Sequence, residues 1–169
     1  MLEIYCGDGK GKTTAAMGLA LRCAGCGMRV HIVQFMKGTK TGEIEAIKQI
    51  KGITVSRCDK NYGFLINMDD GLKKAIIDCH NKMLWEAEKI IGEVDMLILD
   101  EFNSAYEYNL LDRELAKKII FENCKDREIV LTGRNPKKEF KGIADYISEI
   151  KAVKHPYSLG VKARKGVEY

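Results

Sequence analysis

A glycine-rich loop between a strand and a helix constrains this chain more than any other feature of its sequence. Residues 7–14 read Gly-Asp-Gly-Lys-Gly-Lys-Thr-Thr. The residues at 2–6 predict a short strand before the loop, and the apolar spacing at 14–21 predicts a helix after it. Glycines let a backbone approach an anion closely, and a helix start adds roughly half a positive charge at the same place. We therefore expect residues 7–14, hereafter the phosphate loop, to hold a polyphosphate.

Two side chains of the phosphate loop carry the expected chemistry. Lys12 is predicted to lie against phosphate oxygens, and the Thr13 hydroxyl to ligate Mg²⁺. The general motif has a glycine five places before Gly11, where this chain has Cys6. The altered spacing indicates that phosphates lie differently here than in common ATPases. A glycine-rich turn that binds nothing is the alternative, and the correct flanking elements disfavour it.

The rest of the chain alternates between predicted strands and helices. Its 169 residues, 46% of them hydrophobic, are enough for one domain over residues 1–169. Further strands are predicted at 28–35, 53–56, 94–101 and 129–135, a short helix at 42–50, and a long helix whose apolar stripe runs from Leu72 to Ile91. This order predicts an α/β protein with a mostly parallel sheet and helices on both faces, in a P-loop NTPase (RecA-like) fold.

Composition argues against several classes of protein. No apolar run approaches the roughly 20 residues that span a bilayer, and no signal-peptide pattern opens the chain. We therefore expect a cytoplasmic protein without a membrane partner. The net charge is only +4, and the basic residues Lys162, Arg164 and Lys165 are interpreted as part of a solvated tail. No nucleic-acid partner is expected.

The six cysteines include one Cys-x-x-Cys pair at Cys23 and Cys26. A structural zinc site normally needs a second pair, and His31, Cys58, Cys79 and His80 lack paired-ligand spacing. We interpret all six cysteines as buried thiols in a reducing compartment.

Polar residues follow two further predicted strands. Asp100 and Glu101 end an apolar strand, at the edge where open parallel sheets collect their functional groups. One of these carboxylates can hold Mg²⁺ and, with Lys12, offset the charge of a triphosphate. Arg134 ends the next strand and could contact phosphate or an acidic substrate, or form only a surface ion pair.

Taken together, these segments resemble one family, the ATP:corrinoid adenosyltransferases. The resemblance covers nearly the whole chain and rests on the phosphate loop with the two alanines after it, on Val-Gln-Phe-Met-Lys-Gly at 33–38, Leu-Asp-Glu at 99–101, Thr-Gly-Arg at 132–134, and on the segments 144–149, 153–156 and 160–163.

The resemblance implies transfer of the 5′-deoxyadenosyl group of ATP to the Co(I) centre of a reduced corrinoid, with release of triphosphate. ATP would lie in the reverse sense, so that C5′ faces cobalt. It also implies Mg²⁺ or Mn²⁺, a protein electron donor that supplies Co(I), and a homodimer.

The resemblance assigns roles to particular residues. Those implied for the phosphates are Gly7, Asp8, Gly9, Lys10, Gly11, Lys12, Thr13 and Thr14; those for binding nucleotide or corrinoid are Gln34, Lys37 and Phe64. The implied catalytic residues are Lys12, Thr13, Glu101 and Arg134, and the implied metal site is Thr13 and Glu101, with Asp100 behind them. Phe64 matches a family Gly-Phe-x-Trp loop that helps displace the lower axial ligand of cobalt, whereas Ile66 replaces its tryptophan.

Two other classes of function stay open at this point. A small P-loop kinase or NTPase would use the same loop and carboxylates, with Glu101 orienting a hydroxyl or water. A binding module without turnover would carry or sense a corrinoid or nucleotide.

Overall fold

The computed structural model describes residues 1–38, 41–59, 69–156 and 160–167. Strands and helices alternate within these ranges, as the sequence predicts. The strands are β1 Leu2–Cys6, β2 Val30–Gln34, β3 Ile53–Arg57, β4 Met96–Asp100, β5 Glu128–Thr132 and β6 Tyr146–Glu149. The helices are α1 Lys12–Gly25, α2 Gly42–Ile47, α3 Asp70–Ile90, α4 Phe102–Glu107, α5 Arg113–Asn123 and α6 Lys138–Lys141, and a 3₁₀ turn covers Ile91–Glu93.

The strands of the described part form one parallel sheet in the order β3-β2-β4-β5-β1-β6. This confirms the predicted α/β class and is consistent with a P-loop NTPase-like fold. All strands point the same way, so the phosphate loop after β1 and the carboxylate that ends β4 emerge at one edge of the sheet. β5 lies between β1 and β4, and its register places Thr132 beside Tyr5.

The sheet is covered on both faces, which confirms that part of the prediction. In β4 every residue is buried, because alternate side chains enter different layers. Leu97 and Leu99 pack with α3 and α5 in one cluster, whereas Met96 and Ile98 pack with α1 and α2 in the other. Each fully buried side chain of this size contributes roughly 1.5–3 kcal/mol.

Helix α3 follows the predicted apolar stripe with two differences. Its buried residues are Ile76, His80, Met83, Leu84 and Ala87. Leu72 is only half-buried, near the start of the helix, and His80 takes a buried position that the apolar pattern did not include. Trp85 lies off the stripe and is 53% exposed.

The prediction of six free buried thiols is wrong. Cys58, after β3, forms a disulfide with Cys79 in α3, 21 residues later. Cys6 and Cys23 are buried thiols, whereas Cys26 is exposed and Cys124 half-buried. The disulfide depends on α3 packing beside β3, which residue spacing alone does not reveal.

None of the helices in the described ranges has the length and apolar character needed to cross a membrane.

Candidate active site

The first turn of α1 presents backbone N–H groups without a capping side chain. Gly11 precedes the turn with a φ of 121°, in the region that favours glycine. The first helical bond runs from the Ala15 N–H to the Gly11 carbonyl at 2.8 Å. The N–H groups of Lys12, Thr13 and Thr14 therefore lack intrahelical acceptors. Since the turn holds no acidic residue, this end of α1 favours an anion.

A cavity of about 560 Å³ lies at this helix end. Its walls come from the phosphate loop, from the segments after β2 and β4, from the start of α2 and from the C-terminal segment. The lining residues are Gly9, Lys10, Gly11, Lys12, Thr13, Thr14, Met17, Lys37, Gly42, Glu43, Glu101, Gly166 and Val167. The Lys12 ammonium donates to the Gly9 carbonyl at 2.7 Å. The volume lies within the usual range for small-molecule sites.

Two backbone amides of the phosphate loop are hydrogen-bonded to other segments of the chain. The N–H groups of Gly7 and Gly9 donate to the carbonyls of Arg134 and Ile150, at 3.2 and 2.8 Å. A Cβ atom on Gly9 would lie 2.8 Å from the Ile150 oxygen, and one on Gly7 would lie closer still. In this structure the two amides therefore have partners within the protein, and the implied role of Gly7 and Gly9 in binding phosphate stays a prediction. Close packing with residues 150–151 requires glycine at Gly7 and Gly9.

Asp100, at the end of β4, is fully buried, and its carboxylate accepts four hydrogen bonds. The hydroxyls of Thr132 and Thr13 donate to Oδ1 at 2.7 and 2.9 Å. Gln34 Nε2 and Lys37 Nζ donate to Oδ2 at 3.0 and 3.1 Å. A carboxylate offers about four lone-pair sites, so this one is saturated. Asp100 thus lies behind the cavity and fixes the groups that reach it.

Glu101 turns the chain from β4 into α4. Its φ is 57°, a left-handed conformation that costs a non-glycine residue on the order of 1 kcal/mol. The Glu101 N–H donates to Thr132 Oγ1 at 2.8 Å, and its carboxylate accepts from Ser104 Oγ at 3.1 Å. These bonds hold the Glu101 side chain at the cavity wall beside Thr13.

Lys37 enters the site from a second left-handed turn. Met36 has a φ of 61°, and its N–H donates to His80 Nε2 at 3.2 Å. His80 Nδ1 donates in turn to the Leu110 carbonyl at 2.8 Å. Burial lowers the pKa of His80 to about 4, although the Leu110 bond acts in the opposite direction. The neutral ring therefore keeps an acceptor for Met36 and orients the chain that carries Lys37.

The oxygen atoms of this site suit Mg²⁺ or Mn²⁺. Mg²⁺ is usually bound by one or two carboxylates together with substrate phosphates and water. The Thr13 hydroxyl and the Glu101 carboxylate both line the cavity, and Asp100 supports Thr13 from behind. Among the residues that the structure describes, no group of three or more His, Cys, Asp or Glu side chains forms a metal cluster.

Comparison with known proteins decides the family. The protein-family model described as "ATP:corrinoid adenosyltransferase BtuR/CobO/CobP" matches residues 1–169 of this chain. The chain is 33% identical to the corrinoid adenosyltransferase of a Sinorhizobium species, over all of this chain and 80% of that protein. It is 30% identical to the corrinoid adenosyltransferase of Escherichia coli K12 and to the corrinoid adenosyltransferase CobA of Salmonella typhimurium, over all of this chain and 85% of each. This chain belongs to the ATP:corrinoid adenosyltransferase family. It is an enzyme of the adenosyltransferase type.

Within this adenosyltransferase, two implied binding residues take different positions. Lys37 lines the cavity and contacts Thr13. Gln34 is fully buried, and its Oε1 has no partner among the described residues. Gln34 therefore positions Asp100 and does not reach the cavity itself. Phe64 lies outside the described residues.

Arg134, implied as catalytic, does not line the phosphate cavity of the adenosyltransferase. Its exposed side chain borders a separate depression of about 1010 Å³, on the other side of Gly7 and Asp8. Lys141 and Lys151 border the same depression. The structure brings Lys12, Thr13 and Glu101 together and sets Arg134 apart from them.

Sequence reasoning missed several residues of the adenosyltransferase site. Thr132 donates to Asp100 and accepts from the Glu101 N–H. Its hydroxyl at the end of a predicted strand is the feature of the sequence that could have indicated this role. His80 appeared as an isolated histidine in a helix. The segment predicted as a solvated tail is exposed over its described residues, 160–167, and Gly166 and Val167 in it also border the cavity.

Proposed function

We propose that this protein transfers the 5′-deoxyadenosyl group of ATP to the Co(I) centre of a reduced corrinoid and releases triphosphate. The observation that carries the proposal is the cavity at the start of α1. There, unpaired helix amides, Lys12 and Lys37 meet beside the Glu101 carboxylate. Such a site suits a polyphosphate with a divalent metal.

The proposed reaction is a displacement at C5′ of ATP. The electron pair of Co(I) forms the new bond to C5′, and the bond from C5′ to its phosphate oxygen breaks, leaving its electrons on triphosphate. This nucleophile carries no proton to remove, and the described residues lining the cavity include no histidine. The protein lowers the barrier by positioning the substrates and stabilising the leaving charge.

Lys12 and the α1 amides stabilise the departing triphosphate in this proposal. In the structure the Lys12 ammonium is bonded to a neutral carbonyl, that of Gly9. Exchange of this carbonyl for an anionic phosphate oxygen pairs the ammonium with an opposite charge, which strengthens the interaction. Lys10, Thr13 and Thr14 border the same space.

The proposed metal ligands are Thr13 and Glu101, with Asp100 holding Thr13 from behind. When bound, Mg²⁺ or Mn²⁺ supplies positive charge to the phosphates. Glu101 contributes a fixed carboxylate because Ser104 and the left-handed backbone hold it at the wall.

Arg134 has a different part in the proposal. Because it borders the second depression with Lys141 and Lys151, we infer that it contacts an acidic group of a substrate instead of the triphosphate. Phe64 keeps its implied role beside the lower face of the corrinoid. A cytoplasmic location, a homodimer and a protein electron donor are further proposals, supported by the family resemblance.

Product analysis tests the proposed function. The protein is incubated with ATP, Mg²⁺ and chemically reduced cobinamide or cobalamin, while the corrinoid spectrum is followed and the phosphates are separated. We expect an adenosylcorrinoid and triphosphate in equal amounts. ADP or orthophosphate as the main product would favour a kinase or NTPase, and binding without turnover would favour a carrier or sensor.

A further inference from the structure

We propose that Lys37 is a tethered cation, which occupies the metal position in the nucleotide-free protein and moves to the phosphates when a divalent metal enters. This inference deepens the proposed function and rests on it for the identity of the phosphate ligand. Its tests measure binding, so that its failure and the failure of adenosyl transfer are separate results.

The Lys37 ammonium bridges the two groups that define the metal side of the cavity. Nζ lies 2.9 Å from Thr13 Oγ1 and 3.1 Å from Asp100 Oδ2. It donates to the hydroxyl oxygen that is the proposed metal ligand. A metal bound to that oxygen at about 2.1 Å would lie within a few ångströms of the ammonium charge. Since like charges at that distance repel strongly in a partly buried site, ammonium and metal exclude each other.

Lys37 is the partner of Asp100 that is free to leave. Gln34 and Thr132, two of the other donors, are fully buried and have no route to the cavity. The Lys37 side chain is 27% exposed and lines the cavity. Its four-carbon stem rotates easily, and its three N–H donors accept new partners without a fixed geometry. Departure of Lys37 frees one acceptor site on Asp100 for a metal-bound water.

The backbone at Lys37 is held in place, which limits the motion to the side chain. His80 fixes the Met36 N–H on one side. On the other side, Arg57 Nη2 donates to the Lys37 carbonyl at 3.4 Å. Only the Lys37 side chain therefore moves while its backbone stays in place, so that its charge stays within the cavity before and after the metal binds.

Two consequences follow for binding. The nucleotide-free protein binds divalent metal weakly, since the metal must displace an ion pair. Nucleotide binds without metal, because Lys37 supplies a positive charge beside the phosphates. If Lys37 only stabilised the structure of the site, neither property would be seen. Its removal would then weaken the binding of both the divalent metal and the nucleotide.

The test compares Lys37→Met with wild type by Mn²⁺ titration, followed by electron paramagnetic resonance without nucleotide. We expect Mn²⁺ to bind Lys37→Met at least tenfold more tightly than wild type. The matched control is Lys125→Met, which removes the same charge beside Met1 at the other edge of the sheet, and it should bind Mn²⁺ like wild type. Addition of Asp100→Asn to Lys37→Met should remove the gain.

The second readout is ATP affinity measured calorimetrically in EDTA and then in excess Mg²⁺. We expect Lys37→Met to bind ATP at least tenfold more weakly than wild type in EDTA. In excess Mg²⁺ the loss of ATP affinity should be clearly smaller. Unchanged or weaker Mn²⁺ binding by the folded variant overturns the proposal, as does an equal loss of ATP affinity in both conditions. Lys37→Gln, which keeps a hydrogen-bond donor without the charge, gives the same comparison if Lys37→Met does not fold.

Discussion

Lys12 and Lys37 both have oxygen partners inside the protein before any nucleotide binds. Lys12 donates to the Gly9 carbonyl, and Lys37 donates to Thr13 and Asp100. In the proposed mechanism, binding of a triphosphate is therefore an exchange of hydrogen bonds at each lysine, and the site does not hold bare buried charges. An unpaired buried ammonium would be costly, so these internal partners keep the cavity stable.

At the residue scale, Lys12→Ala should lower kcat/KM for adenosyl transfer by at least 100-fold and leave the fold intact. Among the described residues the lost ammonium donates to a loop carbonyl, whereas in the proposed mechanism it stabilises charge that develops on triphosphate, an effect worth roughly 3 kcal/mol. Steady-state kinetics and thermal unfolding of the variant test this. A folded Lys12→Ala enzyme with near-normal kcat/KM would contradict the mechanism.

At the scale of elements, the phosphate loop is joined to the chain after β6. The Gly9 N–H donates to Ile150, the Ile150 N–H donates to Cys6, and Asp8 accepts from the Ala152 N–H. This last bond, more than any nearby charge, lowers the pKa of Asp8. The loop therefore depends for its shape on a segment that follows it by more than one hundred residues.

Gly9→Ala should lower the free energy of unfolding by about 1–3 kcal/mol, because its Cβ would enter the space of the Ile150 carbonyl and force the two segments apart. Urea denaturation measures the change. Gly18→Ala is the matched control: it lies in α1 with open space around the added Cβ. This control should gain about 0.5–1 kcal/mol from helix propensity. Equal stability of the two variants would contradict the packing argument.

At the scale of the whole molecule, two buried histidines join elements that are distant in the sequence. His31 lies in β2 beside Thr54 of β3, and His80 lies between the β2 exit and the chain before α5. Burial lowers the pKa of His31 to about 4, which Glu86 opposes, and burial likewise lowers that of His80 to about 4.

Stability should fall as the pH decreases from about 6.5 to about 4. Across this range the unfolded chain binds protons at both histidines and the folded chain does not, so protonation favours unfolding. The contribution of the two neutral histidines to the free energy of unfolding is complete above about pH 6.5. Its total loss on acidification is on the order of a few kcal/mol. Urea midpoints measured across the range test this. In His80→Gln the loss of stability over this pH range should be roughly half as large as in wild type. An unchanged dependence of the urea midpoint on pH would show that His80 does not contribute to it.

Reduction of the disulfide between Cys58 and Cys79 should lower the free energy of unfolding by roughly 3 kcal/mol. The two cysteines are 21 residues apart, and without the bond the segment between them gains conformational entropy in the unfolded chain. Denaturation with and without a reductant measures the effect. The double variant Cys58→Ser/Cys79→Ser should show no dependence on reductant. Titration of the denatured, unreduced protein should find four thiols, and six would contradict the pairing.

Several parts of the fold and site follow from local patterns in the sequence. Apolar spacing predicted β1 to β5, the start of α1 and the stripe of α3, because burial of one face imposes a period on each element. The glycine-lysine-threonine loop and the two carboxylates predicted the place of the cavity, since parallel strands end at one edge. The edge strand β6 is exposed on both faces and offered no comparable pattern.

The sequence by itself determined the class of fold, the family and the position of the phosphate loop, because these depend on residue types at short, regular spacing. Tertiary structure decided which groups face the cavity. The Gly9 amide is hydrogen-bonded to the Ile150 carbonyl, and the Gly7 amide to the Arg134 carbonyl. The buried network around Asp100 places Gln34 beneath the site and Lys37 within it, and Arg134 borders another depression. Such outcomes depend on contacts between segments far apart in the chain, and neither periodicity nor motif spacing contains that information.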